Sequence, residues 1–189
     1  MAEKNKYTVI KRVAIFGALL LCELIIICFS AYVRYGNANT EQTVGNVIID
    51  NELTSDDIIE ITINPSDVEL IAKTVYGEAR GCSTVEQSAV IWCILNRVDA
   101  GYGSIEHVIT KPYQFIGYKE SNPVKGEFVE LAIDVLIRWQ AEKQCIGEVG
   151  RTLPDNYLWF HGDGERNYFR DKYNGNYNTW DWNCINPYP

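Results

Sequence analysis

The sequence has little of what metal enzymes and nucleic-acid-binding proteins need. It contains only two histidines, His107 and His161, and no pair of cysteines with CxxC spacing, so a zinc site of the usual Cys/His type has poor support. Its net charge is −8, with 25 Asp and Glu against 17 Lys and Arg. This balance disfavours a nucleic-acid partner, which needs a basic surface. We therefore expect no metal, no other cofactor and no nucleic acid.

One long apolar run stands near the N-terminus. Residues 13–33 carry a single charge, Glu23, and as a helix they would cross about 30 Å of hydrocarbon. The cost of the central carboxylate, about 3 kcal/mol, is outweighed by apolar side chains that contribute about −0.3 to −0.6 kcal/mol each. The run is therefore predicted to insert as a single transmembrane helix.

Basic residues flank this run unevenly. Residues 1–12 hold four Lys and Arg, whereas Arg34 alone follows closely. The positive-inside rule then places residues 1–12 in the cytoplasm and the rest outside, so the predicted location is the cell membrane, single-pass, with an extracellular C-terminal part. A cleaved signal peptide is the alternative, with Gly36-Asn37-Ala38 as a weak cleavage site.

The exported part divides into a stalk and a folded domain. Residues 34–64 are polar and acidic, which is typical of a stalk, with a short strand expected near 47–49 or 58–63. Residues 65–189 form the predicted domain. Its four cysteines (Cys82, Cys93, Cys145 and Cys184) allow three complete disulfide pairings, which the sequence leaves open.

Helical signals dominate the first part of the domain. A capping box at Ser66 opens a helix that ends before Gly81, and a second box at Ser83 opens an almost wholly apolar helix that Gly101 ends. A short helix is expected over 104–109 and a long amphipathic one over 126–144.

The pattern then changes to short aromatic segments. Residues 157–160 and 167–169 flank Gly162-Asp163-Gly164, which favours a hairpin. The predicted class is α+β, mainly α, with a small C-terminal β or irregular region.

Glu78, within the segment VYGEARG, is the residue most suggestive of chemistry. It stands at the predicted end of a helix, where the partial negative charge of the helix C-terminus disfavours ionisation. A carboxyl group kept protonated near neutral pH can act as a general acid. The alternative is a surface acid paired with Arg80 or Lys73.

Five motifs in chain order resemble the spore-cortex-lytic cell-wall hydrolases of the SleB/CwlJ type. They are VYGEARG, QSAV from Gln87, NRV from Asn96, QF at Gln114 and WFH from Trp159. The resemblance covers roughly residues 68–170. It implies a lysozyme-like fold, a peptidoglycan substrate and one catalytic glutamate, which by position is Glu78.

The same motifs supply candidates for substrate binding: Tyr76, Asn96, Gln114, Phe115, Trp159 and His161. Several of them have a structural alternative. Asn96 and Arg97 could brace neighbouring loops, His161 could bond a backbone carbonyl, and Trp180 and Trp182 are expected to pack rather than to bind sugar.

Two positions depart from the family pattern. Cys82 stands where a second Glu often follows EARG, and Glu86 stands where Gly is usual. If that second acid were needed for chemistry, the protein would be inactive or altered. We expect activity to survive, since such an acid serves more often to start a helix.

A single acid predicts lytic transglycosylation, in which the muramic acid 6-hydroxyl attacks its own C1 while Glu78 moves the protons. Hydrolysis with a second carboxylate is the near alternative, with Asp99, Asp163 or Glu165 as that group. Three further functions stay open: an N-acetylmuramoyl-L-alanine amidase, a peptidase pairing Cys82 with His161, and a non-catalytic membrane protein that binds glycan or a partner. The anchor suits local wall opening for a secretion or conjugation apparatus.

Overall fold

The computed structural model describes residues 46–49, 59–144, 149–184 and 186–188. The chain forms two compact units, Met1–Thr62 and Ile63–Pro189. The predicted transmembrane segment, residues 13–33, and most of the predicted stalk lie outside the described residues. None of the helices in the described ranges combines the length and the apolar character that a membrane crossing requires.

The first unit contains a two-stranded antiparallel sheet. Its strands are β1, Asn46–Ile49, and β2, Ile59–Thr62, paired so that Val47 lies opposite Ile61. Both positions at which the sequence favoured a short strand are therefore extended, and they pair with each other.

Four helices build the larger unit: α1, Pro65–Ala79; α2, Thr84–Asp99; α3, Ile105–Thr110; and α4, Gly126–Lys143. All four were predicted, and their existence is confirmed. The start of α1 differs from the prediction, because Asn64 rather than Ser66 caps the helix. The Asn64 side chain accepts a 3.0 Å hydrogen bond from the Ser66 amide, and Pro65 suits the first turn because it needs no partner for an N–H.

Helix α2 is the centre of the core, as its apolar sequence predicted. Every residue from 88 to 97 is buried, and helix α1 packs against both α2 and α4. The buried Trp92 ring lies 4.1 Å from the Arg151 guanidinium carbon, so the segment after α4 covers α2. Because the helix is enclosed, the buried polar residues near its two ends, Glu86 at the start and Asn96 and Arg97 near the finish, have fixed positions.

The C-terminal region adds a hairpin and irregular chain. Strands β3, Trp159–Gly162, and β4, Asn167–Arg170, pair antiparallel, which confirms the predicted hairpin. Trp180 is buried and packs on Tyr157, as expected of a packing residue. The described part is a mainly helical α+β structure. Cys82, Cys93 and Cys184 are free thiols, and Cys145 lies outside the described residues.

Candidate active site

The carboxyl group of Glu78 is held by a loop distant in sequence. Glu78 lies one residue before the end of helix α1, and its Oε1 accepts a 2.6 Å hydrogen bond from the backbone amide of Gly117. The Asn122 side chain bonds the carbonyls of both Lys73 and Gly117, at 3.0 and 2.9 Å. The loop from 111 to 122 is thereby fastened along helix α1, and the acid has a fixed position.

Two glycines make this close approach possible. A Cβ atom built on Gly77 would lie 1.9 Å from the carbonyl oxygen of Gly117, and one built on Gly117 would lie 2.5 Å from the Gly77 carbonyl. Any side chain at either position would push the loop away from the helix. Glycine inside a helix costs about 0.5–1 kcal/mol relative to alanine, and here the backbone contact explains its presence.

Burial makes the Glu78 carboxyl group harder to ionise. Removal from water raises its pKa above the ordinary value for glutamate, while the Gly117 amide and the charge of Arg97 lower the pKa to a smaller extent.

The interpretation of Glu78 as an acid paired with Lys73 or Arg80 is wrong. Lys73 pairs with Glu69 and Glu120, and Arg80 donates to the Tyr76 carbonyl at 3.3 Å.

Glu78 faces an open cleft of about 370 Å³ between the end of helix α1 and the β3–β4 hairpin. One wall is the segment from Gly77 to Cys82. The opposite wall is the hairpin turn, with Glu165, Arg166 and Asn167. The cleft thus combines a carboxyl group of raised pKa with the side chains of Arg80 and Arg166, and a perturbed carboxyl group in a cleft marks a candidate functional site.

The second wall of the cleft is fixed by Glu86. Its Oε1 accepts hydrogen bonds from the backbone and side-chain amides of Asn167, at 2.6 and 3.1 Å. Gln87, the next residue of α2, donates to the carbonyls of Ala79 and Cys82 at 3.2 and 3.0 Å. The first turn of α2 therefore positions both walls, and the carboxylate of Glu86 has a structural purpose.

Three of the predicted substrate-binding residues meet at Arg97. This buried side chain donates to Gln114 Oε1 at 3.0 Å and to the Leu158 carbonyl at 2.6 Å. Its guanidinium carbon lies 4.8 Å from the Phe115 ring centre and 4.4 Å from that of Trp159. Phe115 is buried, whereas Trp159 is part-exposed. Arg97 thus ties the loop that carries Gly117 to the hairpin.

Asn96 has a bracing position. It is 2% exposed, and its amide nitrogen donates to the carbonyls of Pro154 and Tyr157 at 2.8 and 3.0 Å. Its oxygen accepts from Arg151. These contacts match the loop-bracing alternative, because they occupy the side-chain amide within the protein.

Tyr76 and His161 lie apart from that cluster. The Tyr76 ring packs edge-on against Phe128, with centroids 6.2 Å apart, and it does not line the cleft. His161 is exposed on β3 and stacks on Tyr168 with centroids 5.3 Å apart. Its neighbour Gly162 lines the cleft, whereas His161 itself does not.

Of the three candidates for a second carboxylate, one lines the cleft and two have structural partners elsewhere. Asp99 bonds Trp139 Nε1 and Lys143 Nζ, each at 2.7 Å, and is not part of the cleft. Asp163 shapes the hairpin turn, because Oδ1 accepts from the amides of Glu165 and Arg166 at 2.9 Å each. These bonds lower the pKa of Asp163 to about 2. Glu165, in contrast, lines the same cleft as Glu78.

The sequence interpretation missed Gly77, Gly117, Glu86 and Arg166 as parts of the site, whereas the bracing role expected of Arg97 matches its contacts with Gln114 and Leu158. A glycine within a strongly helical pattern was a usable signal for Gly77, since it marks a close backbone approach. The bond from Glu86 to Asn167 spans 81 residues, and no local pattern signals such a contact.

Comparisons with protein-family models, curated proteins and solved structures find no match to this chain. Among the described residues, no group of three or more His, Cys, Asp and Glu side chains is placed to hold a metal ion.

Proposed function

We propose that this protein is a membrane-anchored enzyme that degrades peptidoglycan, cleaving the glycan strand between N-acetylmuramic acid and N-acetylglucosamine. The single observation that carries the proposal is Glu78, a carboxyl group of raised pKa fixed by Gly117 at the edge of an open cleft. A glutamic acid protonated through burial is the general acid that glycosidases use. The sequence motifs, through the resemblance they carry, support the choice of substrate.

The proposed reaction is lytic transglycosylation. Glu78 protonates the glycosidic oxygen, and the bond between that oxygen and C1 of muramic acid breaks. The 6-hydroxyl oxygen of the same sugar forms a new bond to C1, and Glu78 accepts the hydroxyl proton. The carboxyl group thereby returns to its protonated state, no water is consumed, and one residue serves as acid and then as base.

Hydrolysis is a second candidate. It needs a second carboxylate, and Glu165 is better placed for this role than Asp99 or Asp163. Glu165 is the only one of the three sequence candidates that lines the cleft with Glu78. In a hydrolase it would activate water or attack C1 directly, according to the distance between the two carboxyl groups.

A cysteine peptidase at Cys82 has little support. Burial and the neighbouring Glu86 raise the pKa of the Cys82 thiol to about 11, so the nucleophilic thiolate is scarce at neutral pH. Its sulfur accepts a hydrogen bond from Asn167 Nδ2 at 3.8 Å and also lies beside the Glu86 carboxylate. Helix-start geometry therefore does not activate this cysteine.

The proposed location follows from the sequence. Anchored through residues 13–33, the enzyme would act on glycan close to the outer face of the membrane. Such placement suits local opening of the wall for a secretion or conjugation apparatus, which would be its partner besides peptidoglycan.

The proposal is tested by measuring the release of soluble muropeptides from purified sacculi. Full-length protein in detergent is compared with Glu78→Gln, which can still accept the Gly117 hydrogen bond, and with Glu165→Gln. We expect release by the wild type and a loss of at least 100-fold in Glu78→Gln. Retained release by Glu78→Gln, once its fold is verified by circular dichroism, would sink the proposal. A comparable loss in Glu165→Gln selects the hydrolase.

A further inference from the structure

Two arginines line the cleft without an acidic partner. Arg80, at the end of helix α1, and Arg166, in the hairpin turn, lie on its opposite walls. Both are exposed, and neither forms an ion pair with any carboxylate in the described part of the chain. The protein has a net charge of −8, so two unpaired cations in one cleft differ in sign from the charge of the protein as a whole.

Each arginine stacks on a tyrosine that is close to it in sequence. The Arg80 guanidinium carbon lies 5.3 Å from the centre of the Tyr76 ring, and that of Arg166 lies 5.2 Å from the centre of the Tyr168 ring. Stacking of this kind restricts the side chain while leaving guanidinium N–H groups for a ligand. Tyr76 thus has a supporting part in the site even though it does not line the cleft.

Neither Arg80 nor Arg166 forms an ion pair with Glu78. The positive charge that lowers the pKa of Glu78 is that of Arg97, which lies in the core of the domain and does not line the cleft. When Glu78 is protonated, the remaining charged groups of the cleft are Arg80, Arg166 and Glu165. The cleft then carries one net positive charge and is suited to an anionic ligand.

We propose that Arg80 and Arg166 bind the carboxylates of the stem peptides that muramic acid carries, so that the enzyme selects peptide-substituted glycan. A guanidinium group matches a carboxylate with two parallel hydrogen bonds. The inference rests on the proposed function, since it names the group of the same substrate that the cleft recognises. It makes cleavage depend on stem-peptide charge and not on the sugars alone.

The test compares two substrates and three proteins. Sacculi are first freed of phosphate-bearing polymers, so that carboxylates are the remaining anions, and half of the sample is amidated with methylamine and a carbodiimide. Full-length wild type, the double variant Arg80→Met and Arg166→Met, and the control Lys172→Met are measured on both. Lys172 is an exposed cation outside the cleft.

Amidation should lower kcat/KM of the wild type and of Lys172→Met about tenfold, the effect of one charged hydrogen bond. On untreated sacculi, kcat/KM of the double variant should be about tenfold below that of the wild type. Amidation should not change kcat/KM of the double variant. Equal cleavage of both substrates by the wild type would overturn the inference, and so would a preference retained by the double variant.

Co-sedimentation of the same proteins with both kinds of sacculi separates this inference from the proposed function. If binding requires the carboxylates and both arginines but no glycosidic bond is cut, the recognition site stands and the proposed reaction fails. If glycan is cut with no dependence on carboxylates or arginines, the reaction stands and the recognition site fails.

Discussion

The backbone amide of Gly117 and the carboxyl group of Glu78 are joined by a 2.6 Å hydrogen bond across 39 residues of sequence. This contact fixes one oxygen of an acid that lines the cleft. It also lowers the pKa of Glu78, but less than burial raises it. The position of the acid therefore depends on the loop from 111 to 122 as much as on helix α1.

Replacing Glu78 by Gln should stabilise the protein at neutral pH. Because the folded-state pKa of Glu78 is raised, the native state binds more protons than the unfolded state between the two pKa values. Wild-type stability therefore falls as pH rises through that window. Urea unfolding at several pH values should show Glu78→Gln equal to wild type below the unfolded-state pKa and more stable above the folded-state pKa.

The control for this experiment is Glu127→Gln, which changes an exposed acid of the first turn of α4. It should not show the same gain at neutral pH, since no burial disfavours its charge. Equal stability of wild type and Glu78→Gln across the whole pH range would contradict the burial of the Glu78 charge.

The pH dependence of cleavage should have a descending limb set by Glu78. A general acid works in its protonated form, so kcat/KM falls as pH rises through the pKa of the free enzyme. Because burial raises the pKa of Glu78, the midpoint should lie above the ordinary glutamate value. Initial rates on sacculi between about pH 4 and about pH 9 measure it. A midpoint at or below the ordinary value would contradict the assignment of the acid.

Alanine at Gly117 should destabilise the domain and abolish cleavage. Its Cβ would lie 2.5 Å from the backbone of Gly77, and relief of such overpacking typically costs about 2 kcal/mol. The loop must move, so the hydrogen bond to Glu78 is lost. Gly126→Ala is a matched control, because a Cβ there meets nothing within 4 Å. A Gly117→Ala protein with wild-type stability and activity would refute the backbone contact.

Removing the carboxylate of Glu86 should loosen the hairpin wall of the cleft. Glu86→Ala leaves the buried amide of Asn167 without its 2.6 Å partner, at a cost of about 1–3 kcal/mol. Amide hydrogen exchange should be faster along β3 and β4, and cleavage should fall with it. Glu127→Ala, which removes the first-turn acid of α4, should leave both unchanged. Unaltered exchange in Glu86→Ala would show that the hairpin is held by other contacts.

Local patterns predicted the secondary structure of this domain well. Helices α1 to α3 carry side-chain caps, all four helices carry apolar spacing within their own segments, and the hairpin carries its turn at Gly162-Asp163-Gly164. Those signals depend on neighbours a few residues away, and such neighbours are visible in one sequence. The start of α1 was misplaced because Asn64 and Ser66 can both cap, and only Pro65 at the first turn distinguishes them.

The site was predicted less completely, because tertiary contacts build it. Glu78 stood out through its place at a helix end, but the bonds from Gly117 to Glu78 and from Asn167 to Glu86 join segments far apart in the chain. Asn96 was proposed to bind substrate, and its amide instead bonds the chain from 151 to 157. Nothing in the local sequence reveals which partners a buried amide will find.

The most direct test of the central claim is mass spectrometry of sacculi digested with full-length wild type and with Glu78→Gln. We predict 1,6-anhydromuropeptides from the wild type alone. Reducing-end muropeptides from the wild type alone would keep Glu78 as the acid and replace transglycosylation by hydrolysis. Cleavage by Glu78→Gln at the wild-type rate, or intact glycan with both folded proteins, would contradict the assignment of Glu78 as the acid that cuts the strand.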